Sequence, residues 1–365
     1  MTAPATTPPP AARFRLLVNA VRGSWRRRPA VWAFAAVCLL GLALLLDDFG
    51  PVVRVFPGSA LLAVVLLALT VSLGTAVLGR VRPFRAPPPG WAWSGVLWGA
   101  TAAAGCALVA NTGLQGIWSK SAGIGFGSRW AAALTAPLNE ELLKLCGVVL
   151  IALVARPLVR GPLDGFFLGA FTGLGFQVME NWTYAMNAIL LGGGVHGTAE
   201  VSQSFATRVM VTGLGSHWAM TAVAGTGVGI LLSHGDRPVR RRIAPAAACV
   251  LTAMGMHWLF DAPLLDSAAG LGVRVGVNFL IALGFAVVLR HRARRRARAF
   301  LLSPRTPLSV DLLTRRSRSR ALRGLPPARR PAAAARASAY LEVVEEQAAV
   351  WRDPARAVPG RAHPA

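Results

Sequence analysis

Eight polar side chains fall inside stretches of the chain that are otherwise apolar, and their types are those that hydrolysis needs. Glu140, Glu141 and Lys144 lie in one stretch, Glu180 and Asn181 in the next, His217 in a third, and His257 with Asp261 in a fourth. A glutamate can take a proton from water, an imidazole can bind a metal or polarise a carbonyl, and an amide can hold a peptide oxygen. Residues three and four apart share a helix face, so Glu140 and Glu141 both reach Lys144, which neutralises one carboxylate and leaves the other as acceptor or base. His257 and Asp261 are one turn apart, so the aspartate can orient the imidazole or accept its second N–H. Phe176 precedes Glu180 by one turn, and Gly169, Gly173 and Gly175 permit a close helix approach there.

The elements that must position these groups are membrane helices. Of 365 residues 54% are hydrophobic and 15% charged, with a mean hydropathy of +0.50; a soluble domain carries roughly 25% charge. Apolar runs of about 20 residues span a bilayer. Eight are expected, near 30–47, 58–79, 91–111, 130–155, 163–191, 206–232, 243–262 and 271–289, making an all-α polytopic membrane helix bundle. Around this transmembrane domain (30–290, catalytic core about 130–262) lie a basic N-terminal arm (1–29) and an Arg/Ala/Pro-rich tail (291–365), both expected to be mostly without structure apart from a short helix near Ser338–Trp351. The arm is too polar at its start for a cleavable signal, so the first span is expected to be an uncleaved anchor.

Arginines cluster in the arm, at Arg80, Arg82 and Arg85, at Arg156 and Arg160, at Arg237 and Arg240 to Arg242, and from Arg290 to Arg298. Short cytoplasmic loops retain such residues, which puts both termini in the cytoplasm of a multi-pass protein of the cell membrane. The formal charge of +24 sits beside spans, where anionic lipid headgroups and not nucleic acid are its partners. Cys38, Cys106, Cys146 and Cys249 read as small buried hydrophobes, and Trp91, Trp93, Trp118 and Trp130 as interfacial belt residues. Gly113, Gly116, Gly123, Gly125 and Gly127 suggest a flexible gating loop between the third and fourth spans.

Depth unites the polar residues. Counted from Arg129, Gly192, Arg208 and Asp266, residues Glu140, Glu180, His217 and His257 lie 11, 12, 9 and 9 positions in, roughly 13 to 18 Å at 1.5 Å per residue. Taken singly each has a plainer reading: an intrahelical ion pair, a protonated acid, an interhelical histidine, a solvated pair near the interface. Four helices presenting acids and imidazoles at one level favour a shared site over those readings.

In order, the motifs Glu140-Glu141-x-x-Lys144, Gly173-x-x-Phe176-x-x-x-Glu180-Asn181, His217-x-x-x-Thr221 and His257-x-x-x-Asp261 resemble those of the PrsW family of intramembrane proteases. That family is related to the CAAX prenyl endopeptidases, whose pattern has Glu-Glu-x-x-x-Arg and a histidine after Phe-x-x-x. Lys144 and Glu180 depart from that second pattern and favour the first. The resemblance covers roughly residues 91–290. It implies hydrolysis of single-pass, membrane-anchored proteins, as in the first cut of an anti-sigma factor, by water activated by Glu140 or Glu141. His217 and His257 would either bind a metal with Glu180, a set that suits Zn2+, or polarise the scissile carbonyl without one. The competing classes are a proton-coupled transporter, for which repeat symmetry and discontinuous helices are expected but not visible here, and a non-catalytic membrane scaffold or sensor.

Overall fold

The computed structural model describes residues 28–84, 87, 89–233, 238–265, 267–302 and 314–350; most of the arm, His234, Asp266 and the final residues 351–365 lie outside the described residues. Every element among the described residues is helical. They run α1 (Pro29–Val55), α2 (Pro57–Val81), α3 (Pro89–Trp98), a π-helical turn (Gly99–Ala103), α4 (Ala104–Ala122), α5 (Ile124–Val154), α6 (Pro162–Leu191), α7 (Gly197–Phe205), a second π-helical turn (Ala206–Val211), α8 (His217–Leu231), α9 (Arg240–Asp261), α10 (Ala268–Leu301), α11 (Arg315–Arg323) and α12 (Arg330–Val350). Proline opens α1, α2 and α6, where its fixed φ suits a first helical turn and its missing N–H costs nothing.

Among the described residues, five helices are long and apolar enough to cross a membrane: α1, α2, the continuous run Gly90–Ala122 through α3 and α4, α9 and α10. Helices α5 and α6, 31 and 30 residues long, match them in length but carry the site's acids. A membrane leaves no water for backbone groups, which is why helices, whose N–H and C=O groups pair internally, make up the whole fold.

Helix α6 is the axis of the bundle, buried without interruption from Asp164 to Gln177. Glycines permit this. A methyl group on Gly169 would overlap the Thr221 carbonyl oxygen of α8, and one on Gly173 would overlap the His217 carbonyl. Gly175 faces the other way, against the backbone of Val96 in α3. The backbone of α6 thus touches α3 on one side and α8 on the other, the small-xxx-small packing that replaces hydrophobic driving force in lipid.

The expected sixth span, 206–232, is not one helix. After the second π-helical turn the chain passes through a 3-10 turn (Gly213–Gly215) and an extended Ser216, and α8 starts at His217 itself. Backbone carbonyls freed by the break are met by side chains. Trp218 Nε1 donates to Gly213 O at 3.0 Å, Gln177 Nε2 to the same oxygen at 3.3 Å, and Asn278 Nδ2 to Gly215 O at 3.2 Å; the same amide also donates to Met256 O, within α9, at 2.9 Å. Non-helical backbone at this depth persists because protein surrounds it. A discontinuous helix is therefore present where none was expected.

Other expectations are corrected. The gating loop reduces to Gly123, whose φ of +93° lets α4 turn directly into α5. Trp91 is buried and packs edge-on against Phe171 at 6.3 Å, and Cys146 is exposed. Where it is described, the tail is helical: α10 runs on to Leu301, and α12 packs Leu341, Val344 and Ala348 on Phe84, Ala297, Phe300 and Leu301. Glu345 of α12 meets Arg82 at 3.4 Å and Arg160 at 3.1 Å. Both arginines also pair with Asp164, in the first turn of α6, at 2.5 and 3.2 Å. Apolar burial and these ion pairs offset the ordering entropy that the Ala/Arg composition alone could not.

Gly173→Ala is expected to lower stability by about 1–3 kcal/mol, the cost of overpacking, because the new methyl group has backbone in its place and backbone cannot rotate away. Gly255→Ala, which meets nothing within 4 Å, is the control. Unfolding midpoints in detergent that fall equally for both variants would refute the contact.

Candidate active site

The site grows from one turn of α5. Lys144 follows Glu141 by three residues and Glu140 by four, and its Nζ lies 2.6 Å from Glu141 Oε1 and 3.7 Å from Glu140 Oε2. All three side chains are at most 4% exposed. A lone ammonium in such a place would be prohibitively costly, so the pairing is what allows Lys144 to be there.

The two glutamates then diverge. Glu141 is saturated: besides Lys144, its Oε1 accepts from His257 Nδ1 at 3.1 Å, and its Oε2 accepts from Thr221 Oγ1 at 3.1 Å. Glu140 is not. Its Oε1 accepts from Asn111 Nδ2 at 2.8 Å, and Asn111 is in turn held by Asn139 at 3.0 Å. Glu140 Oε2 is buried and has no hydrogen-bond donor. It faces His257 Nε2 at 3.6 Å and His217 Nδ1 at 3.8 Å.

The hydrogen-bond network assigns the imidazole protons. Lys144 Nζ donates to His217 Nδ1 at 3.1 Å, so the proton of His217 is on Nε2, 2.8 Å from Glu180 Oε2. His257 donates from Nδ1 to Glu141, which turns its Nε2 lone pair toward Glu140 Oε2 and toward Asp261 Oδ2 at 3.4 Å. A lone pair facing carboxylate oxygens with nothing between them is repulsive unless a proton or cation is shared. Phe176 walls the site, with its ring 4.8 Å from that of His217 and 4.2 Å from Lys144 Nζ.

The sequence-predicted residues therefore come together, with one change of place. Glu180 was expected to join the histidines as a metal ligand; instead it meets the opposite nitrogen of His217 and is paired with Arg208 of the second π-helical turn. The carboxylate that joins both histidines is Glu140, and the ligand atoms of Glu140, His217 and His257 all lie within 4.8 Å of one another. Two imidazoles beside a carboxylate oxygen that has no donor suit a divalent metal once Lys144 yields the His217 nitrogen it now holds. Asp261, expected to orient His257 or accept its second N–H, lies 3.4 Å from Nε2, the nitrogen that also faces Glu140, while Glu141 holds Nδ1. Asn181 accepts from Arg208 Nε at 3.0 Å, leaving its own buried Nδ2 without an acceptor.

Sequence reasoning missed Asn111 and Arg208. Asn111 was one polar residue in an apolar span with no partner at helical spacing, and Arg208 read as the marker of an outer loop.

A helical membrane bundle that buries acids around two histidines and a lysine is the setting of a membrane-embedded hydrolase. The model of the PrsW family intramembrane metalloproteases matches residues 87–291, more than half of the chain, and the chain belongs to that family. It is a membrane-embedded endopeptidase. No curated protein and no solved structure matches it.

Glu141→Gln should cost about 3–5 kcal/mol, since it strips a buried ammonium of its closest counter-charge. Glu140→Gln, whose oxygen can still accept from Asn111, should stay within about 1 kcal/mol of the native protein. Equal losses in denaturant titrations of the two variants would contradict this division.

Proposed function

We propose that this protease cuts single-pass membrane proteins with Glu140 as its acid–base group. The observation that carries the proposal is the Glu140 Oε2 atom, a buried carboxylate oxygen without a donor that faces two imidazoles. Glu141 is unsuited to the role because three groups already occupy its oxygens.

The water oxygen would attack the scissile carbonyl carbon as Glu140 takes the water's proton. The C–N bond then breaks, and Glu140 returns the proton to the leaving nitrogen. Asn181 Nδ2 is a free amide donor for the substrate's carbonyl oxygen. His217 and His257 would hold the metal with Glu140 beside it, zinc being the ion such donors suit; when bound, it supplies polarisation of the carbonyl and acidification of the water. Glu141 holds His257 by Nδ1 and Glu180 holds His217 by Nε2, which turns the other nitrogen of each ring toward Glu140; Lys144, which donates to His217 Nδ1, would release it to the metal.

The arginine pattern supports a chain of eight spans with both termini in the cytoplasm of the cell membrane, its basic segments against anionic headgroups. The depth count opens the site toward the outer leaflet. That supports as substrate the extracytoplasmic stub of an anti-sigma-factor-like protein and a cut made in response to a signal. The break before α8 is a feature of transporters as well, but family membership and the residues grouped around Glu140 favour hydrolysis.

The test is cleavage of epitope-tagged single-pass proteins in reconstituted vesicles. A fragment should appear with the native protein, fall at least 100-fold with Glu140→Gln as for loss of an acid–base group, vanish with a chelator and return with zinc. A fragment that persists at the native rate in Glu140→Gln would refute the assignment.

A further inference from the structure

Arg208 lies in the second π-helical turn, none of whose residues is buried. Its guanidinium nevertheless reaches three residues of α6. Nη2 pairs with Glu180 Oε2, Nε donates to Asn181 Oδ1 at 3.0 Å, and Cζ lies 3.9 Å from the centre of the Tyr184 ring. Positions 180, 181 and 184 share one face of α6. The Glu180 oxygen held by Arg208 is also the one that accepts from His217 Nε2 at 2.8 Å.

We infer that Arg208 is a positioning residue for His217, acting through Glu180. This rests on the reading of His217 as part of the active site. The side chains of Glu180 and Arg208 are 20% and 14% exposed, whereas those of Glu140, Glu141, Lys144, His217 and His257 are at most 4% exposed. With Asp261, 20% exposed beside His257, the pair forms the rim of a cluster whose other members are closed off. Without its cation, Glu180 would keep only a neutral imidazole as donor, and the carboxylate would turn outward to water through its own opening. His217 would then lose the acceptor of its Nε2 proton, and of its two hydrogen-bond partners only Lys144, at Nδ1, would still orient the ring.

The side chain's shape is part of the argument. A planar guanidinium can hold Glu180 and Asn181 with two different nitrogens while stacking on Tyr184; a lysine offers one point charge and no fork. The wide π-helical turn, a feature that recurs at functional sites, presents that fork over α6 from a segment that is itself outside the core. The break before α8 thus does more than start a helix at His217, because the π-helical turn that precedes it carries the group that holds the histidine's partner.

The experiment uses the full-length protein in detergent, stripped of metal and labelled with 15N in the histidine rings, His217→Ala identifying the His217 signals. Native His217 should show a single tautomer protonated on Nε2. Arg208→Gln should shift the Nε2 signal of His217 as its acceptor loosens, Lys144 still holding Nδ1, and, in competition with a chromophoric chelator, weaken zinc binding by about 10- to 100-fold, the usual effect of losing an outer partner of a ligand. Arg208→Lys, which keeps the charge, should already shift the His217 signals, with an unfolding midpoint near native. Adding Arg208→Gln to Glu180→Gln should weaken zinc binding no further than Glu180→Gln alone. Unmoved His217 signals in Arg208→Lys and Arg208→Gln, or additive losses in the double variant, would overturn the inference. A native protein that takes up no zinc and cuts no substrate while its His217 signals still respond to Arg208 would instead refute the active-site reading and leave the positioning role standing.

Discussion

The buried ammonium of Lys144 is the interaction on which the rest of the site depends. It sits 2.6 Å from Glu141, 3.1 Å from His217 and 3.7 Å from Glu140, fully inaccessible. A cation so placed is tolerable only with a carboxylate in contact, and Glu141 is that carboxylate. Once Glu141 is committed to Lys144, to Thr221 and to His257, its neighbour Glu140 has no donor for its second oxygen. Two adjacent glutamates thereby differ, one holding three helices together and one left with an oxygen that faces two imidazoles.

That electrostatic arrangement needs backbones closer than ordinary side chains allow. Thr221 and His217 belong to α8, and both reach their partners because α6 meets α8 at Gly169 and Gly173. The helix break places His217 at the first position of α8, and Asn278 ties the break to α9, the helix of His257. At the opposite end of α6, Asp164 is held by Arg82 and Arg160, which also meet Glu345 of α12. The helix that carries Glu180 and Asn181 is therefore anchored by charge at one end and by glycine contacts along its length.

Much of this was legible in the sequence for a physical reason. Acids and histidines in apolar helices are expensive, so their presence and one-turn spacings on consecutive spans pointed to a common cluster before any geometry was known. Glu140, Glu141, Lys144, His217 and His257 do converge. Periodicity says which face a residue takes on its own helix but not which neighbour meets it, and so the pairing of Glu180 with Arg208 and the hold of Glu141 on His257 were not foreseen. The break at 212–216 was hidden because its residues are small and weakly polar, composing as well with a helix as with a turn. A helix near Ser338 was expected, but the full length of α12 and its docking were hidden because they depend on contacts with Phe84 and Arg82, more than 200 residues away, and not on its own Ala/Arg-rich composition.

The most direct test of the account is a double-mutant cycle on Lys144→Met and Glu141→Leu, read as unfolding free energy in detergent. Each single replacement should cost about 3–5 kcal/mol by leaving a buried charge unpaired. Together they should recover most of that loss, because neither charge remains. A double variant as unstable as the sum of the two would contradict the claim that this pair carries the site.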